Sequence, residues 1–283
     1  MIKVDQLSYT YASVESPTLK NLDFEIKEGE IFGFLGPSGA GKSTTQKVLY
    51  KILNDYTGQV FIDGVSLKDL DKNYFERIGV GFELPNHYLK LTGKENLDLF
   101  ASFYPKHKLL NIPDLFASVG LENAINQNVE AYSKGMKMRL NFIRSIMHNP
   151  DIIFFDEPTA GLDPVNAHKI KQHIKQLKKD GKTIFITTHN MTSADELCDR
   201  VAFIVDGEIA LIDQPEKLKK QYGKEVVSVE LENGIKETFP IKEIGQNSAF
   251  LDFLRKEKVS RINTMEATLE EVFIKVTGKS LKL

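Results

Sequence analysis

The sequence predicts an α/β fold in which helices pack on a mixed sheet that has an antiparallel part. Three short apolar runs predict buried parallel strands: "IFGFL" (31–35), "DIIFFDEP" (151–158) and "TIFITTH" (183–189). A segment with helical spacing, "NAHKIKQHIKQLKKDG" (166–181), lies between the last two runs and ends at a glycine. Strand, helix and strand in this order form a crossover unit, so we expect the two strands to run parallel in one sheet.

The N-terminal segments predict the antiparallel part and the first helix. "IKVDQLSYTY" (2–11) and "LKNLDFEIKEGEIFGFLG" (19–36) alternate as strands do, with a turn at Glu28–Gly29. "KSTTQKVLYKIL" (42–53) has helical spacing, and "GQVFIDG" (58–64) is a strand bounded by glycines. This region therefore predicts strands before and after a single helix at 42–53.

The middle of the chain predicts a helical subdomain at about 86–148, followed by a return to the sheet. Ser193 and Glu196 have the spacing of a capping box, which predicts that a helix begins after Ser193. "VAFIVDGEIAL" (201–211) then predicts a hairpin that closes the sheet.

After Tyr222 the pattern of predicted elements changes from crossover units to a hairpin and two helices. We therefore predict a main domain at 1–222 and a small α+β accessory domain at 223–283. The predicted elements of the accessory domain are a hairpin with an Asn233–Gly234 turn, a helix at 249–258 and a capped helix at 268–278.

Composition limits the possible functions of this 283-residue chain. Apolar residues make up 41% and charged residues 27%, as in ordinary globular proteins, and the net charge of −2 does not predict a nucleic-acid-binding face. The single cysteine, Cys198, excludes an internal disulfide and a cysteine-based metal cluster. We find no signal peptide and no uncharged apolar run near the ~18 residues of a membrane span, so we expect a chain that does not cross a membrane.

A glycine-rich stretch, "GPSGAGKST" (36–44), predicts a phosphate-binding loop between a strand and a helix. Glycines allow successive backbone N–H groups to point inward at an anion, and the helix N-terminus favours the same charge. We expect Lys42 to neutralise the terminal phosphates and Ser43 to bind Mg²⁺. The predicted nucleotide-binding residues are Gly36, Pro37, Ser38, Gly39, Ala40, Gly41, Lys42, Ser43 and Thr44.

Two adjacent carboxylates, Asp156 and Glu157, end the apolar strand at 151–158. Buried acids are costly unless they are paired or bind a metal. We expect Asp156 to hold a metal through water, and Glu157 to polarise the water that attacks the γ-phosphate. The alternative is a solvated strand end, which the neighbouring phosphate loop disfavours.

These motifs resemble those of a known family. "GPSGAGKST", "DIIFFDEPTAGLDP" and "TTHNM", in this order and spacing, look like the ATP-binding subunit of an ATP-binding cassette (ABC) transporter. The resemblance covers about residues 1 to 222. It implies a P-loop NTPase fold of ABC type, with ATP and Mg²⁺ as cofactors.

The resemblance also implies roles for residues outside the phosphate loop. Tyr11 would stack on adenine, "GLD" (161–163) would lie across a dimer interface, and His189 would contact the γ-phosphate as a catalytic residue. On sequence alone Tyr11 could be an ordinary strand aromatic and His189 a core histidine. Because the carboxyl ends of parallel strands line the ligand crevice, the position of His189 favours the functional alternative.

The chain departs from the family pattern at two places. The signature LSGGQ appears as "YSKGM" (132–136), which keeps Ser133 and Gly135 at a helix start, and we predict that these two bind nucleotide. Glu83 stands where the family usually has glutamine. A carboxylate there can bind Mg²⁺ more strongly, so we predict Glu83 as a metal ligand beside Ser43 and Asp156, with a surface acid as the alternative.

The single cassette, "YSKGM" and the C-terminal "EATLEEVFIKVTGK" look like the ATPases of bacterial type-2 ABC exporters. That likeness implies a separately encoded membrane permease, a second ATPase subunit and a location at the cytoplasmic face of the cell membrane. We expect Tyr88, Leu91 and Phe103, within 85–105, to couple the site to the permease. No nucleic-acid partner is expected. The alternatives are a soluble ABC-type ATPase in translation or DNA repair and a non-hydrolysing ATP-binding regulator; a kinase or GTPase of the same loop class is least favoured.

Overall fold

The computed structural model describes residues 1–223, 226–265 and 267–279, which divide into two units, Met1–Ile212 and Asp213–Leu283. The division falls ten residues before the predicted boundary at 222. The reason is that a helix at Pro215–Tyr222 packs against the last helix, Leu269–Thr277, in the second unit. Its apolar anchor, Leu218, is fully buried.

The first unit contains two sheets, and the strand predictions for residues 2–64 and 151–211 are confirmed. The antiparallel sheet has the order β2-β1-β4-β5, and the second sheet has the order β10-β9-β3-β8-β7-β6. The strands are β1 Ile2–Tyr9, β2 Leu19–Ile26, β3 Ile31–Leu35, β4 Thr57–Ile62, β5 Val65–Ser66, β6 Ile78–Gly81, β7 Ile152–Asp156, β8 Thr183–Thr188, β9 Arg200–Val205 and β10 Glu208–Asp213.

The second sheet is parallel from β6 to β9, since β3 pairs in parallel with β8 and β9, and β7 pairs in parallel with β6 and β8. All residues of β3 and β8 are buried, as strands covered on both faces require. Phe24 of β2 joins the antiparallel sheet to this core, because its ring lies 5.5 to 6.2 Å from the rings of Phe32, Phe34 and Phe185. Fully burying a phenylalanine stabilises a fold by about 1.5–3 kcal/mol.

Seven helices of the first unit cover the sheets or form the predicted helical subdomain. They are α1 Lys42–Leu49, α2 Tyr74–Arg77, α3 Gly93–Ala101, α4 Ile112–Ser118, α5 Lys134–Ile146, α6 Pro164–Lys179 and α7 Met191–Leu197. Side-chain caps fix several starts: Thr92 and Glu95 form a capping box at α3, and Asp163 caps α6 ahead of a proline at its first position.

The predicted helix start after Ser193 is wrong. Helix α7 begins at Met191, because the Asn190 side chain accepts a hydrogen bond from the backbone N–H of Ser193. Asn190 is therefore the capping residue, and Ser193 lies in the first helical turn. Helix α7 also ends at Leu197, and the chain re-enters the sheet at Arg200.

The second unit has the predicted α+β composition. Its described residues form a sheet of order β12-β11-β13 with helices beside it. The elements are α8 Pro215–Tyr222, β11 Val226–Leu231, β12 Lys236–Pro240, α9 Ser248–Lys256, β13 Val259–Met265 and α10 Leu269–Thr277. A cluster that includes Val229, Phe239 and Phe253 forms its core, and Thr268 and Glu271 form the capping box of α10.

Within the described residues, no helix is both long and apolar enough to span a bilayer.

Candidate active site

The phosphate loop connects β3 to α1, as the sequence predicts. Gly39 and Gly41 have φ values of 78° and 106°, in the left-handed region that favours glycine. A Cβ at Gly36 would lie 2.1 Å from the backbone oxygen of Ile204, so a larger residue would collide with β9. The loop therefore requires glycine for its conformation and for its close approach to the sheet.

Lys42 lies at the first turn of α1 and is folded back onto the loop. Its Nζ donates to the carbonyl oxygens of Gly36, at 2.8 Å, and Pro37, at 2.9 Å. Burial lowers the pKa of Lys42, while nearby Glu157, Asp156 and Glu83 oppose that shift. These carboxylates are close enough to act on the lysine charge, so the three predicted acids share one electrostatic environment with Lys42.

The carboxylate of Asp156, at the end of β7, contacts the phosphate-loop helix. Ser43 Oγ donates to Asp156 Oδ2 at 2.8 Å, and Thr187 Oγ1 donates to Asp156 Oδ1 at 2.5 Å. Gln46 Nε2 of α1 donates to the carbonyl oxygen of Phe155 at 3.0 Å, which ties α1 to β7 one residue earlier. Ser43 and Asp156, both predicted as metal ligands, are therefore in direct contact.

The donor set fits Mg²⁺ bound together with a nucleotide. Mg²⁺ in such sites takes one or two protein oxygens and completes its shell with phosphates and water. Ser43 and Asp156 supply a hydroxyl and a carboxylate oxygen, and exposed Glu83 lies near enough to affect Lys42. In the described residues, no group of three or more His, Cys, Asp or Glu side chains could hold a metal.

Glu157 is a buried acid in an unusual backbone conformation. Its φ of 49° is in the left-handed region, where residues other than glycine are uncommon, and only 6% of it is exposed. Its carboxylate accepts from Thr188 Oγ1 at 2.8 Å and from the backbone N–H of His189 at 2.7 Å. The Nδ1 of His189 lies 2.5 Å from Glu157 Oε1. Glu157 and His189, both predicted as catalytic, therefore form one hydrogen-bonded unit.

Tyr11 is positioned against the start of α1. Its hydroxyl lies 3.2 Å from Thr44 Oγ1, and its ring meets the ring of Tyr9 edge-on at 4.9 Å. The predicted adenine-stacking residue is thus joined to the phosphate loop. Its contact with adenine remains a prediction.

Ser133 and Gly135 lie at the start of α5. Ser133 caps the helix by accepting a hydrogen bond from the backbone N–H of Met136 at 3.2 Å. A Cβ on Gly135 would meet Leu162 at 3.6 Å and the carbonyl oxygen of Gly161 at 3.8 Å, so "YSKGM" and "GLD" are neighbours. Among the residues that the structure describes, no hydrogen bond joins either residue to the phosphate loop.

The sequence reasoning missed three polar residues of the site: Gln46, Thr187 and Thr188. Their hydroxyl and amide groups hold Asp156, Glu157 and the end of β7 in place. A signal existed for the threonines, because "TTH" follows the apolar part of a parallel strand adjacent to the one that carries the acids. Threonine is also a common strand residue, so the pattern alone did not separate these roles.

Comparisons with known proteins show the family to which the chain belongs. The family described as ABC transporter matches residues 19–160. The fluoroquinolones export ATP-binding protein of Mycobacterium tuberculosis is 48% identical over 285 aligned residues, covering 99% of this chain and 94% of that protein.

Two solved structures have the same fold as most of the chain. An ATP-binding subunit of an ABC transporter has a TM-score of 0.70 and 27% identity, covering 78% of this chain and 92% of its own. A dimeric ATP-binding cassette in a post-hydrolysis state, bound to ADP and phosphate, has a TM-score of 0.68 and 30% identity. That alignment covers 76% of this chain and 98% of the cassette.

These matches confirm the predicted fold, the predicted family and the predicted ATPase activity. The chain is an ATPase that uses ATP and Mg²⁺, and its partners are a membrane permease and a second ATPase subunit. The match to this family associates the chain with a membrane transporter. The chain belongs to the ABC transporter family, as the ATP-binding subunit of a bacterial exporter.

Proposed function

We propose that the chain hydrolyses ATP at a site completed by a second copy of itself, and that this drives export of a drug-like organic molecule by the permease. The proposal rests on one observation. Lys42, the Ser43–Asp156 pair and Glu157 lie together at the carboxyl ends of β3 and β7. Ligands of open α/β sheets bind at this edge.

The roles proposed for the phosphate side rest on the contacts of its residues and, for Glu83, on its electrostatic influence on Lys42. The backbone N–H groups of residues 36–44 and the N-terminus of α1 bind the phosphates. Lys42 exchanges its carbonyl partners for phosphate oxygens, which carry full charge and accept more strongly. Ser43, Asp156 and Glu83 would hold Mg²⁺, which would neutralise charge on the phosphates. Tyr11 stacks on adenine, beside Thr44.

Glu157 orients the attacking water and accepts its proton. Three donors fix the carboxylate: Thr188 Oγ1, the backbone N–H of His189 and the His189 ring. A fixed carboxylate presents its oxygens in one place without reorganisation during the reaction. The side chain of His189 is about half exposed, which leaves part of its ring free to contact the γ-phosphate.

The second copy supplies "YSKGM" as the lid of the site. Ser133 and Gly135 lie at the N-terminus of the 13-residue helix α5, whose first turn contains no acid. A helix N-terminus of this kind attracts phosphate, and closing it over the γ-phosphate excludes water. The dimeric assembly of the cassette bound to ADP and phosphate supports this arrangement.

The permease holds the chain at the cytoplasmic face of the membrane. Exposed aromatic side chains in 85–105 support docking there, since Tyr88 is 56% and Phe103 is 69% exposed, while Leu91 is half-buried. Substitution of these three residues is expected to uncouple transport from ATP hydrolysis.

The whole-length similarity to a protein named for fluoroquinolone export supports a drug-like cargo. The test uses inside-out membrane vesicles that contain the chain and its permease. We expect ATP-dependent uptake of a fluorescent fluoroquinolone, and none in vesicles with Lys42→Ala. Uptake equal in both preparations would contradict ATP-driven export, and ATP hydrolysis without uptake would contradict the cargo alone.

A further inference from the structure

Two tyrosine rings lie against each other where the first strand ends. Tyr9 is the last residue of β1, and Tyr11 follows two positions later, in the loop that leads to β2. Residues two apart on an extended chain are separated by about 6.8 Å. The centres of these two rings are only 4.9 Å apart, with their planes at 88°. The rings therefore lean together in the edge-on contact that aromatic side chains favour.

The position of Tyr9 is fixed by the sheet and, through the sheet, relative to the phosphate loop. Tyr9 lies opposite Leu19 of β2, and its carbonyl oxygen accepts a hydrogen bond from the backbone N–H of Thr18 at 2.8 Å. Leu19 is fully buried, and a Cβ at Gly41 would lie 2.6 Å from its Cδ2. Because Gly41 belongs to the phosphate loop, the strand pair that carries Tyr9 packs directly against that loop.

Tyr11, in contrast, lies at the start of an exposed loop. Residues 12–17 are all exposed, and the backbone N–H of Val14 donates to the Tyr11 carbonyl oxygen at 3.0 Å, which forms a turn. Two contacts of the side chain locate its ring. One is the edge-on contact with Tyr9, and in the other the hydroxyl lies 3.2 Å from Thr44 Oγ1. The chain itself therefore defines the place of the Tyr11 ring.

The contact between the two tyrosines leaves the Tyr11 ring able to receive a base. An edge-on contact covers at most one face of the ring, and the Tyr11 side chain is only half-buried. Stacking on adenine, the role proposed for Tyr11, uses one face. Because the hydroxyl end of the ring contacts Thr44 of the phosphate loop, the ring is within reach of a nucleotide whose phosphates bind in that loop.

We propose that Tyr9 is a positioning residue for the nucleobase, because its ring holds Tyr11 in the orientation on which adenine stacks. The proposal rests on the proposed function, which assigns adenine to Tyr11. A ring that is already held loses less rotamer freedom when the base binds, so stacking contributes more to affinity. Tyr9 acts through Tyr11, and its contribution therefore belongs to ligands that carry a base.

The alternative is a structural role, in which Tyr9 only supports the pairing of β1 with β2. The two roles differ in their effect on phosphate binding. Because Leu19 packs against Gly41, a disturbed strand pair would displace the phosphate loop and weaken the binding of every phosphate ligand. Loss of positioning would weaken only ligands with a base. ADP and pyrophosphate each carry a diphosphate and differ by the adenosine, so a comparison of the two separates the roles.

The test measures the dissociation constants of ADP and of pyrophosphate for the full-length chain, by calorimetry with Mg²⁺ present. Tyr9→Leu and Tyr9→Met remove the ring, and Tyr9→Phe retains it. Phe250→Leu is the matched control, because it removes one ring of an edge-on pair in the second unit, 5.4 Å from Phe239. We expect the ADP constant to rise about fivefold for the two non-aromatic variants and to stay within about twofold of wild type for Tyr9→Phe and Phe250→Leu. The pyrophosphate constant should not change in any variant.

A double-mutant cycle tests whether Tyr9 acts through Tyr11. Tyr11→Ala should itself weaken ADP binding, and adding Tyr9→Leu should then have no further effect, because no ring is left to position. Hydrolysis gives a second reading: Tyr9→Leu should raise the KM for ATP and leave kcat unchanged, since stacking acts equally on the ground state and the transition state. Thermal unfolding of each variant monitors folding.

Three results would overturn the inference. The first is wild-type ADP affinity in Tyr9→Leu and Tyr9→Met. The second is an equal loss of pyrophosphate binding, or unfolding of both non-aromatic variants, since the role of Tyr9 would then be structural. The third is a full further loss when Tyr9→Leu is added to Tyr11→Ala. The proposed function stands in all three cases. If Tyr11→Ala binds ADP as the wild type does, the adenine role in the proposed function fails, and the inference fails with it.

Discussion

At the scale of single residues, Glu157 is the group whose geometry bears most directly on catalysis. Replacement by Gln keeps the shape of the side chain and removes its ability to accept a proton. We expect Glu157→Gln to bind ATP as the wild type does and to lose hydrolysis by about 10²–10⁴-fold. Phosphate release and equilibrium ATP binding are the measurements.

The control for that substitution is Glu196→Gln. Glu196 is a carboxylate of α7 that pairs with Lys171 and Lys175, away from the phosphate loop. Turnover of Glu157→Gln within about threefold of wild type would remove Glu157 as the base.

Glu83 supports a second prediction at this scale. Because a carboxylate binds Mg²⁺ more strongly than an amide does, Glu83→Gln should raise the Mg²⁺ concentration needed for half-maximal hydrolysis. ATP binding should change little, since Glu83 is exposed and its influence on Lys42 acts at a distance. If Glu83→Gln and the wild type had the same Mg²⁺ titration, Glu83 would be a surface acid and not a metal ligand.

How far the sequence could predict the site is clear from Lys42, Asp156 and Glu157. The glycine spacing and the apolar strand predicted roles for all three, and the structure brings the three side chains into one environment. The supporting roles of Gln46, Thr187 and Thr188 were not predicted, because they depend on which strand and helix become neighbours of β7, and the signal that the two threonines carry is shared with ordinary strand residues.

At the scale of elements, His87 makes the segment between β6 and α3 sensitive to acid. Its Nε2 lies 3.0 Å from the carbonyl oxygen of Lys137, and burial, with nearby Arg144 and Lys137, lowers its pKa to about 4 from 6.5. The folded chain therefore binds this proton more weakly than the unfolded chain does, and folding is favoured above pH 6.5. That contribution is lost as pH falls from 6.5 toward 4.

We expect this one side chain to lower the free energy of unfolding by about 2 kcal/mol between pH 7 and pH 5. His87→Gln retains a donor for Lys137 and should reduce the pH dependence by that amount, while His107→Gln, at an exposed histidine, should not. Urea unfolding at the two pH values provides the measurement. Equal pH dependence in all three proteins would show that His87 is not protonated on unfolding.

Element boundaries show where sequence patterns are weakest. Ser193 with Glu196 satisfied the capping-box pattern, yet Asn190 three residues earlier is an equally good cap, and the structure uses it. The predicted boundary at 222 put residues 215–222 in the main domain, but helix α8, which they form, has a buried Leu218 and packs against α10 in the second unit. Local pattern cannot distinguish which core such a helix joins.

At the scale of the whole molecule, the central claim is that two chains complete each other's ATP sites. Two variants separate the halves of the site. Lys42→Ala removes the phosphate-loop charge, and Gly135→Asp places a negative charge on the proposed lid. A Cβ at Gly135 would meet nothing closer than 3.6 Å, so Gly135→Asp should fold. Each variant alone should be inactive.

The decisive measurement is ATP hydrolysis by an equal mixture of the two inactive variants. In a mixed dimer with shared sites, one site receives both defects and the other receives neither. Random mixing gives about half mixed dimers, so about a quarter of wild-type activity should return if the sites act independently. Sizing of Glu157→Gln with ATP supplies a second reading, in which we expect a dimer. No recovered activity together with a monomeric Glu157→Gln protein would contradict the shared site.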